Sequence, residues 1–232
     1  MRNPTPRLAA VRGLTTTASA ALACVALAAA LPPGAGAAAA PPRPSRQLTS
    51  GQLTRRLLTH YELPSGYHAY GWKPNDPTES DHPACISTFD GLDNPTPPQG
   101  VTQAQRAFRQ SLAGPWLLET LRSYPGQGAA RTFSKVTRSL AGCGRFTLIW
   151  LSPPSSGTEM FHRNGRVRLG NSSWWASISV VGSYPTDGAM FFVRVGSSTM
   201  LLEETAQHDF PPLMPFSQIR AIAALAVSQL TG

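Results

Sequence analysis

Apolar positions along the chain recur with two different periods, and the segments that carry them alternate. Leu53, Leu57 and Leu58 fall on one face of a helix opened by Ser50 as N-cap, and Leu63-Pro64-Ser65-Gly66 ends it with turn chemistry. Ala130, Phe133, Val136 and Leu140 give Gln127 to Gly142 the same spacing, as do Ile219, Ile222, Ala223, Ala226 and Leu230 in Phe216 to Leu230. Between these helices the pattern changes to strands. Tyr67 to Trp72 is aromatic and short, and Trp116 to Tyr124 lies between Gly114-Pro115 and Pro125-Gly126. Phe146 to Leu151 is rich in β-formers and runs into Pro153-Pro154. Ser173 to Val181, Ala189 to Val195 and Ser198 to Glu204 are three further strands, the last two joined by a tight turn at Gly196-Ser197.

Two segments resist this division. Ala104, Phe108 and Leu112 within Gln103 to Ala113 fit a strand face, and with Val101 they nearly fit a helix face. Lys73 to Pro98 is dominated by Pro, Asp, Asn and Thr and reads as a long loop pinned at Cys85. Strands mixed with a few helices, without regular βαβ alternation, indicate an α+β domain around an antiparallel sheet.

The N-terminal segment follows another logic. Arg2, Arg7 and Arg12 precede the uncharged run Leu14 to Leu31, and small residues continue to Ala40. Positive, apolar and small-residue regions in that order form a secretory signal peptide over residues 1–40. Small residues at Ala35 and Ala37, or at Ala37 and Ala39, suit cleavage. The alternative is an uncleaved anchor, although the run is short for a span of about 20 residues. Lipidation at Cys24 is disfavoured, because Leu22 stands at the wrong offset and apolar residues continue beyond it. Residues 41–47 form a Pro-rich linker, and 48–232 the exported domain.

Removing that leader changes charge and cysteine arithmetic together. The whole chain has 20 Lys and Arg against 12 Asp and Glu. Without the three leader arginines the balance is +5, and its carriers are scattered. No basic stripe or reading motif points to nucleic acid, so no nucleic-acid partner is expected. Setting Cys24 aside leaves Cys85 and Cys143, which an oxidising compartment would join in one disulfide. Neither cysteine has the close ligand pairs of a zinc site, so no metal and no cofactor are expected.

Catalytic signatures are sparse. There is no G-x-S-x-G elbow, and His208-Asp209 reads as a surface turn. Glu203 and Glu204 alternate across a strand, so they cannot serve one pocket together; with Glu119 they read as solvated charges. His60, His68, His82 and His162 lack ligand spacing. The indoles of Trp72, Trp116, Trp150, Trp174 and Trp175 are the better ligand-facing group, because such rings line apolar clefts. Trp116, Trp174 and Trp175 are the candidate cleft-lining residues, and alternation sends Trp174 and Trp175 to opposite faces. No catalytic residue is assigned.

Several landmarks resemble the PknH-like extracellular sensor domain family of actinobacterial receptor kinases, secreted proteins and lipoproteins. Leu57 to Tyr67, with Leu63-Pro64-Ser65-Gly66-Tyr67, is similar to that family's opening helix and turn. Gly128-Ala129-Ala130 through Leu140-Ala141-Gly142-Cys143-Gly144-Arg145-Phe146 resembles its helix, cysteine and phenylalanine passage, and Phe192-Val193-Arg194-Val195-Gly196 its late hairpin. The resemblance covers roughly Leu48 to Gly232 and implies a twisted antiparallel sheet with helices and a cleft. It also pairs Cys85 with Cys143 and favours strand at Gln103 to Ala113. The second disulfide of better-known members is missing, and a chain of this length is not expected to hold a kinase domain.

The combined expectation is a monomeric, secreted or envelope-associated sensor or ligand-binding domain without catalysis. Its ligand would be a small molecule or an envelope component, and any membrane contact would run through the N-terminal anchor. The alternatives are a secreted protein-interaction or inhibitor module and a hydrolase. An exposed, disulfide-braced loop over Asp76 to Pro98 would favour the module. A histidine within reach of both a serine and an acid would favour the hydrolase.

Overall fold

Both faces of one large sheet are covered, and this decides where nearly every apolar side chain goes. The computed structural model describes residues 46–73, 79–151, 154–183, 185–208 and 212–232. The leader, most of the linker, Asp76 and Asp209 lie outside them. The described strands are β1 (His68–Tyr70), β2 (Glu79–Ser80), β3 (Thr102–Arg109), β4 (Trp116–Ser123), β5 (Arg145–Leu151), β6 (Pro154–Gly165), β7 (Ser172–Gly182), β8 (Thr186–Val195) and β9 (Ser198–Gln207). They form a nine-stranded sheet in the order β1-β3-β4-β9-β8-β7-β6-β5-β2, antiparallel at every pairing. The helices are α1 (Ser50–Thr54), α2 (Pro83–Asp93), α3 (Gly128–Ala141) and α4 (Phe216–Thr231).

Leu53 of α1 and Ile219, Ala223 and Ala226 of α4 pack with Leu117, Leu121, Phe191, Val193, Met200 and Leu202 on one face. The alternate residues of the same strands face the other way. There Met190, Phe192 and Leu201 meet Leu92 of α2 and Leu140 of α3. Strands covered on both sides lose the polar half of their alternation. That explains the unbroken apolar run from Ala189 to Val193.

Long connections put α2 and α3 on this second face. After β4, which lies well inside the sheet, the chain crosses through α3 to reach β5 beyond β9, β8, β7 and β6. Between β2 at one edge and β3 near the other, it returns through α2. A disulfide joins Cys85 of α2 to Cys143 just after α3, with Cα atoms 5.7 Å apart. At its other end α2 is tied to the sheet. The Arg122 guanidinium donates to the carbonyls of Gly91 and Asn94 at 2.5 and 3.1 Å, and Gln105 donates to that of Asp93 at 2.7 Å. The last helical carbonyls, otherwise without partners, are thereby satisfied.

Most periodic segments form close to their expected bounds, and Gln103 to Arg109 lies in strand β3, whereas Gln110 to Ala113 turns away with Leu112 exposed rather than on the strand face. Several expectations are corrected. Thr49 rather than Ser50 caps α1, in a capping box with Gln52, and the helix is only five residues long. The region from Lys73 to Pro98 is not a continuous loop. It contains β2 and the 11-residue α2, opened by Pro83 at its first turn, where a missing N–H costs nothing. Pro154 does not end the sheet segment but begins β6, a strand the sequence reading omitted. Its Ser, Gly, Thr and charged residues lack the β-branched run that marks strands, and a bulge between Phe161 and Arg163 breaks its period. In α3 Ala129 is buried rather than Ala130, while Phe133 stacks on Phe192 at 5.4 Å.

Candidate functional site

Between α2 and the second face of the sheet lies a cavity of about 620 Å³. Its roof is α2, which contributes Ile86, Phe89 and Leu92. Its floor runs from Phe146 and Leu148 of β5 to Trp116 of β4, and Tyr70 and Trp72 close it beside β1. The volume is in the range of small-molecule sites, and the lining is largely aromatic and aliphatic. A second, more open concavity follows the outer side of α2 past Glu79, Ser87 and Asn94.

The local sequence explains the aromatic wall. Tyr70 pairs with Ala107 across β1 and β3, so its ring shares a face with Arg109 and Trp116. The Arg109 guanidinium lies 5.2 Å from the Tyr70 ring centroid, within cation–π range. Trp72 meets Tyr70 edge-on at 6.4 Å. Its buried indole N–H has no hydrogen-bond partner among the described residues. Phe89 sits 5.9 Å from Phe146 and 5.4 Å from Phe161, anchoring the roof to the floor.

Five carboxyl groups interrupt this lining, and two of them, Glu159 and Glu203, come from the sheet strands β6 and β9. Glu203 of β9 lies on the same face as Leu201 and Thr205, and Glu159 of β6 on the same face as Phe161. Both line the cavity, and neither makes a hydrogen bond or ion pair to a described residue. Burial pushes the Glu203 carboxyl up to about 7. Burial and then the charge of Glu203 push Glu159 up to about 8. Tyr70 is held up at about 12, by burial first, with Arg109 opposing and Glu203 reinforcing.

Glu204 and Glu119 open onto the opposite face, where both are fully buried. Glu204 accepts from the Tyr67 hydroxyl at 2.8 Å and from the Met214 N–H at 3.1 Å. Glu119 accepts from the Leu58 N–H at 2.7 Å, while Arg106 donates to the Leu58 carbonyl at 2.6 Å. Burial raises both carboxyls, Glu119 to about 8, against the pull of these donors. The expectation that Glu203, Glu204 and Glu119 are solvated charges is therefore corrected. A strand covered on both faces has no solvated side to give them. The neighbours Glu203 and Glu204 do not share a pocket, as strand alternation requires.

Of the three tryptophans proposed for a cleft, Trp116 lines the cavity. Trp174 shares its face but packs in the core, 7% exposed and edge-on to Phe161. Trp175 lies on the opposite face, 4.5 Å from the Phe216 ring of α4. Neither ring of that pair lines the cavity, because both sheet faces are covered at their position. Sequence reasoning did not place Glu159, Tyr70 or Phe89 at a site. A weak signal existed for Glu159, which stands two residues before Phe161 and so shares its apolar face.

The histidines do not assemble a charge-relay group among the described residues. His162 Nε2 is 2.5 Å from Ser179 Oγ, but no carboxylate bonds that ring. His208 pairs with Asp187 at 3.0 Å on the surface, with no serine bonded to it. No group of three or more His, Cys, Asp or Glu among the described residues is arranged to hold a metal ion. None of their helices is long and apolar enough to cross a membrane.

No protein-family model matches the chain, and no curated protein matches it in sequence. In three dimensions it is similar to the crystal structure of the extracellular domain of PknH from Mycobacterium tuberculosis. The TM-score is 0.59 at 12% identity, over 80% of this chain and 98% of that one. At that identity the likeness is one of fold: an antiparallel sheet with helices, shared with an extracellular domain.

Proposed function

We propose that residues 48–232 form an extracytoplasmic, non-catalytic domain that binds a small or envelope-derived ligand in the cavity beneath α2. The cavity carries this reading. It is roofed by a pinned helix, lined by aromatic rings and supplied with two carboxyl groups that have no partner among the described residues. The disulfide supports an oxidising compartment. The leader over residues 1–40, read as a signal peptide, agrees with it, as does the fold shared with an extracellular domain. The protein-interaction module was tied to an exposed loop, and much of that region is the helix roofing the cavity.

The test uses the neutral fluorescent probe N-phenylnaphthylamine and the full exported chain. Saturable binding at one site is expected, abolished by Val180→Trp, which fills the cavity from β7. A probe signal that does not saturate, or that survives Val180→Trp in a folded protein, would overturn the reading.

A further inference from the structure

The acidic residues of this chain are unevenly placed. Of the twelve Asp and Glu, five line the one cavity: Asp90, Asp93, Glu159, Asp187 and Glu203. Of the twenty Lys and Arg, the described residues place Lys73 alone in its lining. A protein with a net positive charge has thus gathered carboxyl groups around this cavity. Low-dielectric walls focus their potential and select the sign of what enters. Two of the five, Glu159 and Glu203, are half-buried in the lining and have no donor among the described residues. A carboxylate drawn out of water without a donor is costly unless a partner arrives.

The walls independently favour the same charge. Tyr70, Trp72, Trp116, Phe89 and Phe146 surround this floor with aromatic rings. Ring faces attract cations, most strongly once the cation is desolvated. The protein uses this geometry in one place already, with Arg109 over Tyr70.

We infer that the cavity binds an organic cation, an ammonium group on an apolar body, with the charge held between Glu159 and Glu203 and the body against Trp72 and Trp116. This rests on the cleft reading above and specifies its ligand class. Several charged or titratable groups border the two carboxyls. They are Tyr70 and Lys73 beside β1, Asp90 and Asp93 on α2, and Asp187 on β8, which pairs with His208. Arg109 on β3 stands behind Tyr70. The carboxyls of Glu203 and Glu159 lose their protons near pH 7 and 8. A cation entering at pH 7 must therefore displace protons, and its affinity must rise with pH.

Calorimetric titration of the full exported chain separates this from simple apolar binding. The probes are octyltrimethylammonium, octylammonium, octanol and octanoate. Both cations are expected to bind at least about tenfold more tightly than octanol, and octanoate more weakly than octanol. At pH 7 the cations should release protons, seen as a dependence of the heat on buffer ionisation, while octanol should not. The trimethylammonium probe carries a fixed charge, so its gain in affinity from pH 6 to pH 9 reports the protein alone. Glu159→Gln with Glu203→Gln should erase the preference for cations over octanol. The proposal is overturned if octanol matches the cations, or if the double variant keeps the preference. If the neutral probes bind and cations gain nothing, the cleft reading stands without this inference. If no probe binds, both fall. Tighter binding of octylammonium would show hydrogen bonds to the carboxylates dominating, and of octyltrimethylammonium the rings; either supports an organic cation.

Discussion

Glu203 and Glu204 are consecutive in β9, yet one borders an open cavity and the other accepts hydrogen bonds from Tyr67 and Met214 in a closed core. Strand alternation sends them to opposite faces, and the helices on each face decide what each finds there. Glu204→Ala leaves the Tyr67 hydroxyl and the Met214 N–H without their acceptor. It should cost about 2–3 kcal/mol in urea denaturation. Glu203→Gln removes no hydrogen bond, and at pH 5 it should leave the midpoint nearly unchanged. Comparable losses from the two variants would contradict the division of roles.

Stability should fall as pH rises from about 5 to about 8. Glu119, Glu159 and Glu203 each hold a proton to about 7 or 8 in the fold, against an ordinary value of 4.5. Over that window the folded chain binds more protons than the unfolded chain, so raising the pH favours unfolding. Asp81 works in the opposite direction at the acid end. The Thr147 N–H lowers its pKa, so its contribution is lost as pH falls. Thermal melting across pH 4 to 9 should peak on the acid side of neutrality. The combined Glu159→Gln and Glu203→Gln chain should show a shallower decline.

The disulfide holds the roof of the cavity. Cys85 and Cys143 close a loop of 58 positions, for which the chain-entropy model gives roughly 4 kcal/mol. Reduction, or Cys85→Ala with Cys143→Ala, should lower the denaturant midpoint accordingly. Hydrogen exchange should rise first in α2, whose other ties include its packing and the bonds from Arg122 and Gln105. Uniform exchange across all helices would show that the bridge does not hold α2 in particular.

The three candidate tryptophans should separate into two groups. Trp174→Ala removes a ring packed in the core and should cost about 3–5 kcal/mol, and Trp175→Ala, which removes a half-buried ring on the other face, should cost less. Trp116 borders the cavity, so Trp116→Ala should weaken N-phenylnaphthylamine binding with a smaller loss of stability. Equal effects of all three on probe affinity would place the site elsewhere.

Legibility differed from residue to residue. The helix ending at Leu140 and the strands flanking Gly196 could be read locally, because their apolar spacing and turn residues carry the information. Gly196 takes a φ of +57°, as the hairpin turn it was assigned requires. The strand β6 could not, since its residues are held by neighbours on both sides rather than by their own propensity. Trp116 was singled out as an indole, but Glu159 and Phe89 were not. They stand seventy positions apart in sequence and are brought to one cavity by the crossovers that place α2 over the second face.

By itself the sequence determined the α+β class, the helices α3 and α4, most of the strands and the cysteine pair Cys85 and Cys143. Those follow from local periodicity and from counting. The tertiary structure alone decided which face each side chain meets and which carboxyls are satisfied. It also decided that space remains under α2. Burial and hydrogen bonding at a strand residue depend on what covers that face, and the covering helix comes from a distant part of the chain.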